Sequence, residues 1–277
     1  MDTKMNNIIL VPTDFSEVCD NAMNQAVEAA KYLNYKIVLL HVVDKNSKTQ
    51  LKKDGLDVSA IDKKLEGYAG DIKAQGVKAE VVSKEGDIFY TIAEVARDIG
   101  ANLMYLGTHG KVGMQKLTGS FALKVVTSSP VPVVVVQKRP FDQGYKKIVL
   151  PLTSDAGPWE KTKWASFIAK NFDAEIHVYQ LDSPELKEAV DIITNHFDKE
   201  SVVYKIIKAD GSHFSKQVID YATANMCDMV MIMTNPDKSF TKFLLGSYDE
   251  EMMFNTSQIP VMCINPRRYN WEKIFKI

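Results

Sequence analysis

Residues 7–14, NIILVPTD, decide the reading of the chain, because residues 147–155, KIVLPLTSD, repeat them. Each is a short apolar run that ends in turn-forming residues, the pattern of a strand buried on both faces of a parallel sheet. Further runs follow the first: KIVLLHVVD at 36–44, KAEVVSKEGD at 78–87, NLMYLGTHG at 102–110 and VPVVVVQ at 131–137. Between them lie helical patterns. Residues 16–33 align Val18, Ala22, Ala26, Ala29 and Leu33 on one stripe, with Asp14 and Glu17 spaced as a capping box. Residues 58–75 carry a thin stripe of Ile61, Leu65, Tyr68 and Ile72, residues 87–99 form another helix stopped by Gly100, and residues 120–128 a short last one. Strands alternating with helices imply a parallel sheet with helices on both faces.

The second half repeats these landmarks in order. TKWASFIAKNFDAEIHVYQLD (162–182) follows the first helix and second strand. SVVYKIIKADGSHF (201–214) corresponds to the third strand, MCDMVMIMTNPD (226–237) to the fourth, and GSYDEEMMFNTSQIPVMCIN (246–265) to GSFALKVVTSSPVPVVVVQ (119–137). A tandem duplication follows, with domains at 1–140 and 141–277 joined at the turn-rich KRPFDQGYK of 138–146. Two domains in 277 residues is the usual proportion.

Composition narrows the function. Apolar residues make up 45 % and charged residues 25 %, and 34 basic residues face 35 acidic ones for a net charge of −1. Nothing here favours nucleic acid or an anionic membrane as partner. The three cysteines, Cys19, Cys227 and Cys263, lack metal spacing and read as buried small residues in a reducing compartment. His41, His177, His196 and His213 show no metal spacing either. No run approaches the ~18 apolar residues of a membrane span, and the N-terminal residues lack the apolar core of a signal peptide. A soluble cytoplasmic protein is expected. Met226, Met229, Met231 and Met233 read as core, Met252 and Met253 as helix packing, and Lys45, Lys48, Lys52 and Lys53 as a solvated loop.

In an open parallel sheet, ligands bind beyond the carboxyl ends of the strands near the topological switch point. Pro12, Thr13 and Asp14 end the first strand there, and Gly107-Thr108-His109-Gly110-Lys111-Val112-Gly113 ends the fourth, leading to Gly119-Ser120 at the start of the last helix. Glycines admit close approach of an anion to backbone N–H groups, and a helix N-terminus favours negative charge, so a phosphate chain suits this loop. The same glycines and serine also suit turns and a helix cap. Neither G-x-x-x-x-G-K-[ST] nor G-x-G-x-x-G occurs, which excludes a P-loop and a dinucleotide fingerprint.

A first strand ending VPTDFS, a second ending HVVD, a fourth ending GTHG, a Gly-Ser before a short helix and a PVPVVVV last strand together resemble the universal stress protein family, over both halves. The resemblance implies two tandem five-stranded parallel α/β sheets, Rossmann-like and adenine nucleotide alpha hydrolase-like. It implies a regulatory protein of the stress response that holds ATP or AMP, with or without Mg, as a nucleotide-dependent switch read by a protein partner. No catalytic or metal-binding residues are assigned. Carried over, Gly107, Gly110, Gly119 and Ser120 hold phosphates, His109 lies within that loop, Phe121 adds a backbone N–H, and Pro12, Thr13, Asp14 and Val42 border adenine and ribose. Other members of the family lack the glycines and bind no nucleotide. An ATP-independent interaction module, a module for a different small molecule, and a slow ATPase are therefore the alternatives.

Two departures matter. Eight residues separate Gly110 from Gly119 where the family motif has nine. In the second half Thr234-Asn235-Pro236-Asp237 replaces the glycine loop, so one position lacks an N–H and another brings a carboxylate, while Ser154 stands opposite Asp14. One nucleotide per chain is expected, in the first half. The last strands, 131–137 and 259–265, are apolar edges expected to pair in an intramolecular pseudo-dimer, with further homo-oligomerisation left open.

Overall fold

A computed structural model describes residues 6–109, 119–141, 144–153, 158–210, 212–234 and 247–266. The chain divides between Asp142 and Gln143 into two compact units.

The first unit opens with β1 (Ile8–Pro12), α1 (Glu17–Leu33), β2 (Lys36–Val43), α2 (Lys45–Lys53) and α3 (Ser59–Ala74). It continues with β3 (Ala79–Glu85), α4 (Ile88–Asp98), β4 (Leu103–Gly107), α5 (Gly119–Ser128) and β5 (Val133–Val136). Its strands lie in the order β3-β2-β1-β4-β5, with every described pairing parallel. The switch point is therefore the β1–β4 junction, since the chain leaves β1 toward β2 on one side and returns to β4 on the other. All five residues of β1 and of β4 are buried, as sheet centre strands covered on both faces should be.

The helices follow their stripes. Val18, Ala22, Ala26, Ala29 and Leu33 of α1 are all buried, and the run of alanines lets the helix lie close on the sheet. Ile61, Leu65, Ala69 and Ile72 form the buried stripe of α3, while Tyr68 is only half-buried. Two expectations need correction. Residues 45–53 are a helix, capped by the Asp44 side chain, which accepts from the Ser47 N–H at 2.7 Å. The start of α1 is not a capping box: Ser16 is the N-cap residue, and Asp14 instead accepts from the Ser16 N–H at 3.0 Å in a tight turn.

The second unit repeats the order with β6 (Lys147–Leu152), α6 (Pro158–Phe172), β7 (Glu175–Leu181), a 3-10 turn (Pro184–Leu186), α7 (Lys187–Lys199) and β8 (Tyr204–Ala209). It ends with α8 (Phe214–Ala224), β9 (Met229–Met233), α9 (Ser247–Met253) and β10 (Val261–Ile264). Its strands run β8-β7-β6-β9-β10, again parallel throughout. Met229, Met231, Met252 and Met253 are fully buried, whereas Met226 is 72 % exposed in a left-handed turn after α8 and does not belong to the core. All three cysteines are buried free thiols. No described helix is long and apolar enough to cross a membrane.

The strand starts fix how the halves correspond. At the start of β1 the Ile8 N–H donates to Asn102 Oδ1, and at the start of β6 the Lys147 N–H donates to Asp228 Oδ2, so equivalent residues lie 139 apart. The left-handed residues that stop α1 and α6, Asn34 (φ 54°) and Asp173 (φ 53°), keep the same offset. Pro12 therefore matches Pro151, and Asp14 matches Thr153 rather than Ser154. The sequence alignment slipped by one because it matched the shared Thr-Ser/Asp ends of the strands instead of the prolines.

Candidate functional site

The C-terminal ends of β1 and β2 meet the first turn of α2 in a small cavity of about 40 Å³. Four of the residues singled out in the sequence line it: Pro12, Thr13, Asp14 and Val42. His41, Asp44 and Ser47 supply further polar groups, and Ile88 and Ile92 of α4 an apolar wall. At this volume the cavity holds a few waters at most.

The loop after β1 is held by its own side chains. Thr13 N–H donates to the Leu40 carbonyl at 2.8 Å, continuing the sheet, and the Phe15 N–H donates to Thr13 Oγ1 at 2.9 Å. Phe15 has φ 63°, a left-handed conformation that costs a bulky residue on the order of 1 kcal/mol or more. Its ring compensates by stacking on His41 (4.8 Å, 16°) and on Tyr68 (5.9 Å, 13°), with Lys64 Nζ 4.2 Å from its centroid.

That geometry sets the state of Asp14. Burial opposes its ionisation, but the Ser16 and Cys19 side chains nearby and the Ser16 N–H outweigh this and hold the carboxyl below its ordinary range. It is a fixed carboxylate at neutral pH, with one oxygen anchored to Ser16 and acceptor capacity left over. The adjoining Cys19 thiol is pushed up to about 12 by burial and by the Asp14 charge, which makes it an inert core group and not a nucleophile.

The imidazole of His41 is 6 % exposed. Its Nδ1 lies 2.9 Å from the Thr13 carbonyl, which can only accept, so Nδ1 carries the proton. Its Nε2 lies 3.3 Å from Ser47 Oγ, which in turn is 2.8 Å from Asp44 Oδ1. A polar chain from Thr13 through His41 and Ser47 to Asp44 thus ties the ends of β1 and β2 to the start of α2. Sequence reasoning missed it. Its signal was present in the HVVDKNS of 41–47, where the α2 cap also lies.

The glycine-loop residues are placed separately. Gly107 ends β4, and its lack of a side chain is required by packing: a Cβ there would stand 2.5 Å from the Val18 carbonyl oxygen and 2.9 Å from Cys19 Cα. Thr108 is fully buried, its N–H donating to the Val136 carbonyl at 2.8 Å. His109 Nε2 is buried and has no hydrogen-bond partner among the described residues. Gly119 and Ser120 open α5, and the Phe121 ring stacks on Phe89 of α4 at 5.1 Å. Gly110 and the eight residues after it lie outside the described residues, as do Ser154, Asn235, Pro236, Asp237 and Gly246. No group of side chains among the described residues could hold a metal ion.

The second unit treats the same place differently. Lys161 occupies the position of Ala22, and its Nζ donates to the carbonyl of Pro151, the counterpart of Pro12. Asp249, two residues beyond the Gly-Ser pair as Ala122 is in the first half, is 1 % exposed and its charge supports that of Lys161. Desolvation still dominates and lowers the ammonium to about 8. Two alanines have been replaced by a buried base and acid, so this strand end meets the chain's own ammonium.

The family model that matches the chain is "Universal stress protein family", over residues 5–137. A universal stress protein of Synechocystis is 31 % identical over 136 residues, covering 48 % of this chain and 86 % of the relative. One from Methanocaldococcus jannaschii is 30 % identical over 157 residues, covering 47 % and 94 %. Among solved structures, a universal stress protein from Archaeoglobus fulgidus shares the fold at TM-score 0.78 and 18 % identity, covering 95 % of this chain and 99 % of that one.

Proposed function

This chain belongs to the universal stress protein family, and on that premise we propose that its N-terminal half binds one adenine nucleotide, ATP or AMP, as a switch read by a protein partner in the cytoplasm. The observation that carries the reading is the convergence of Thr13, Asp14 and Val42 on one cavity at the carboxyl ends of β1 and β2, next to the switch point. A carboxylate held ionised and only half used by Ser16 is suited to accept from ribose hydroxyls, and the start of α5 to meet phosphates.

The second half is read as structural with respect to nucleotide. Its loop carries Pro236 and Asp237 in place of glycines, and Lys161 already donates to the strand-end carbonyl. One observation favours the alternative of an ATP-independent module: a cavity of about 40 Å³ is far below the ~300 Å³ of an ordinary ligand pocket, so a nucleoside enters only if the crevice opens.

The test is to denature the purified protein, identify released small molecules by mass spectrometry, and titrate the nucleotide-free chain with ATP and AMP by calorimetry. One adenine nucleotide per chain is expected. Two equivalent sites would refute the assignment of the second half, and no binding would leave the ATP-independent module.

A further inference from the structure

Between α6 and α7 of the second unit lies a cavity of about 230 Å³. Ser166, 4 % exposed, lines it, and its Oγ, shielded from water, has no hydrogen-bond partner among the described residues. A helical serine ordinarily bonds the carbonyl one turn back, so an unpaired buried hydroxyl is a cost that some occupant should offset. His196 Nε2, on the opposite wall, is likewise buried and without a partner among the described residues. Two ammonium groups flank them. Lys170 is paired to Glu200 at 2.8 Å, whereas Lys163 lies over the Trp159 ring at 5.4 Å and meets no carboxylate at ion-pair distance among the described residues. Phe167 supplies apolar wall, and Trp159 packs edge-on against His196 at 5.0 Å.

The first half carries different residues here. At the constant 139-residue offset, Lys163 stands where the first half has the exposed, uncharged Asn24, and Ser166 replaces the buried Val27. The cation and the buried hydroxyl of the cavity are thus additions to a helix face that folds without them.

We propose that this cavity is a binding site for a small carboxylate with an apolar body, aromatic or branched aliphatic, whose carboxylate meets Lys163, the Ser166 hydroxyl and His196 while its body lies against Phe167. The volume, somewhat below that of drug-sized pockets, suits a molecule of this size. One uncompensated cation, one hydroxyl donor and one imidazole match a single carboxylate. Burial, aided by Lys163 and Lys170 from α6 and by Lys199, lowers the His196 imidazole, with Glu200 acting the other way. An incoming anion favours its protonated form, so binding takes up protons and strengthens as pH falls.

The test uses the full chain with benzoate, phenylacetate and isovalerate as probes and benzyl alcohol as the uncharged control, measured by calorimetry. Saturable binding of at least one carboxylate is expected, with the alcohol about tenfold weaker or worse. Ser166→Val and Lys163→Asn, which copy the residues of the first half, should each lower affinity about tenfold with an unchanged or raised melting temperature. Absence of saturable binding by all three probes overturns the proposal. So does binding that is equal for benzyl alcohol and benzoate, or unaffected by both substitutions. Adenine nucleotide binding in the first half should be the same in every variant, which keeps this test separate from that one.

Discussion

Gly107→Ala separates two roles that the sequence could not. A methyl carbon at this position would lie 2.5 Å from the Val18 carbonyl oxygen, 2.7 Å from its carbonyl carbon and 2.9 Å from Cys19 Cα. Comfortable non-bonded contacts begin near 3.5 Å, so the first turn of α1 must withdraw by about 1 Å. All three obstructing atoms are backbone, so no side-chain rotation relieves the clash. Overpacking of this kind costs ~1–3 kcal/mol or more. At ~4 °C per kcal/mol for a unit of this size, the melting temperature should fall by roughly 4–12 °C. The assay is thermal and urea unfolding of the nucleotide-free protein by circular dichroism, following the transition of the first unit. A variant as stable as the parent, with weaker ATP binding, would refute the packing argument and return Gly107 to the phosphates. A destabilised variant would show that a glycine of the ligand motif is demanded by the scaffold.

Asp14→Ala should lower adenine nucleotide affinity about tenfold or more by calorimetry while leaving the fold intact, because among the described residues the carboxylate's hydrogen bonds stay with its own turn and Cys19; unchanged affinity would remove Asp14 from the site. Gly110→Asp copies the residue that the second half carries at Asp237; at ~5 Å from a phosphate charge and an effective dielectric near 20, repulsion of about 3 kcal/mol should weaken ATP by ~100-fold, and equal binding would show that phosphates do not approach it. Lys161 has a folded-state value of about 8 against 10.5 for the free side chain. Between those values the unfolded chain binds more protons, so stability should rise with pH by up to ~3 kcal/mol across this window and stay flat below it. The Lys161→Ala/Asp249→Ala double variant, which copies the alanines of the first half, should lose that rise relative to the parent in urea titrations at pH 7.5, 9 and 10. Lys161→Ala alone should be the less stable protein, because the buried Asp249 carboxylate then loses the nearby positive charge.

The strand–helix order was legible because buried parallel strands and alanine-striped helices leave strong periodic signals, as in Ile8–Pro12 and in Val18 through Leu33. Short polar elements were not. Residues 45–53 carry almost no apolar residue, and what makes them a helix is the Asp44 cap and its tie through Ser47 to His41, contacts among three side chains that no window statistic sees. The duplication was plain, but its register slipped by one because two adjacent alignments score alike until the hydrogen bonds of Ile8 to Asn102 and of Lys147 to Asp228 make Pro151 the equivalent of Pro12. The Thr13–Asp14 side of the site could be read from its motif. The polar chain through His41 and the cavity at Ser166 could not, since each depends on atoms that meet only after helices dock.

The unbroken offset of 139 residues between 8–43 and 147–182 makes each half a reference state for the other. Any substitution in one can be judged against what its twin already carries, at the same temperature, ionic strength and concentration, within one molecule. It also means that a strand–helix–strand block can be exchanged between the halves without inserting or deleting a residue. Such transplants would measure directly how much of the divergence after duplication was drift on a tolerant scaffold, and how much was selection for two pockets with different tenants.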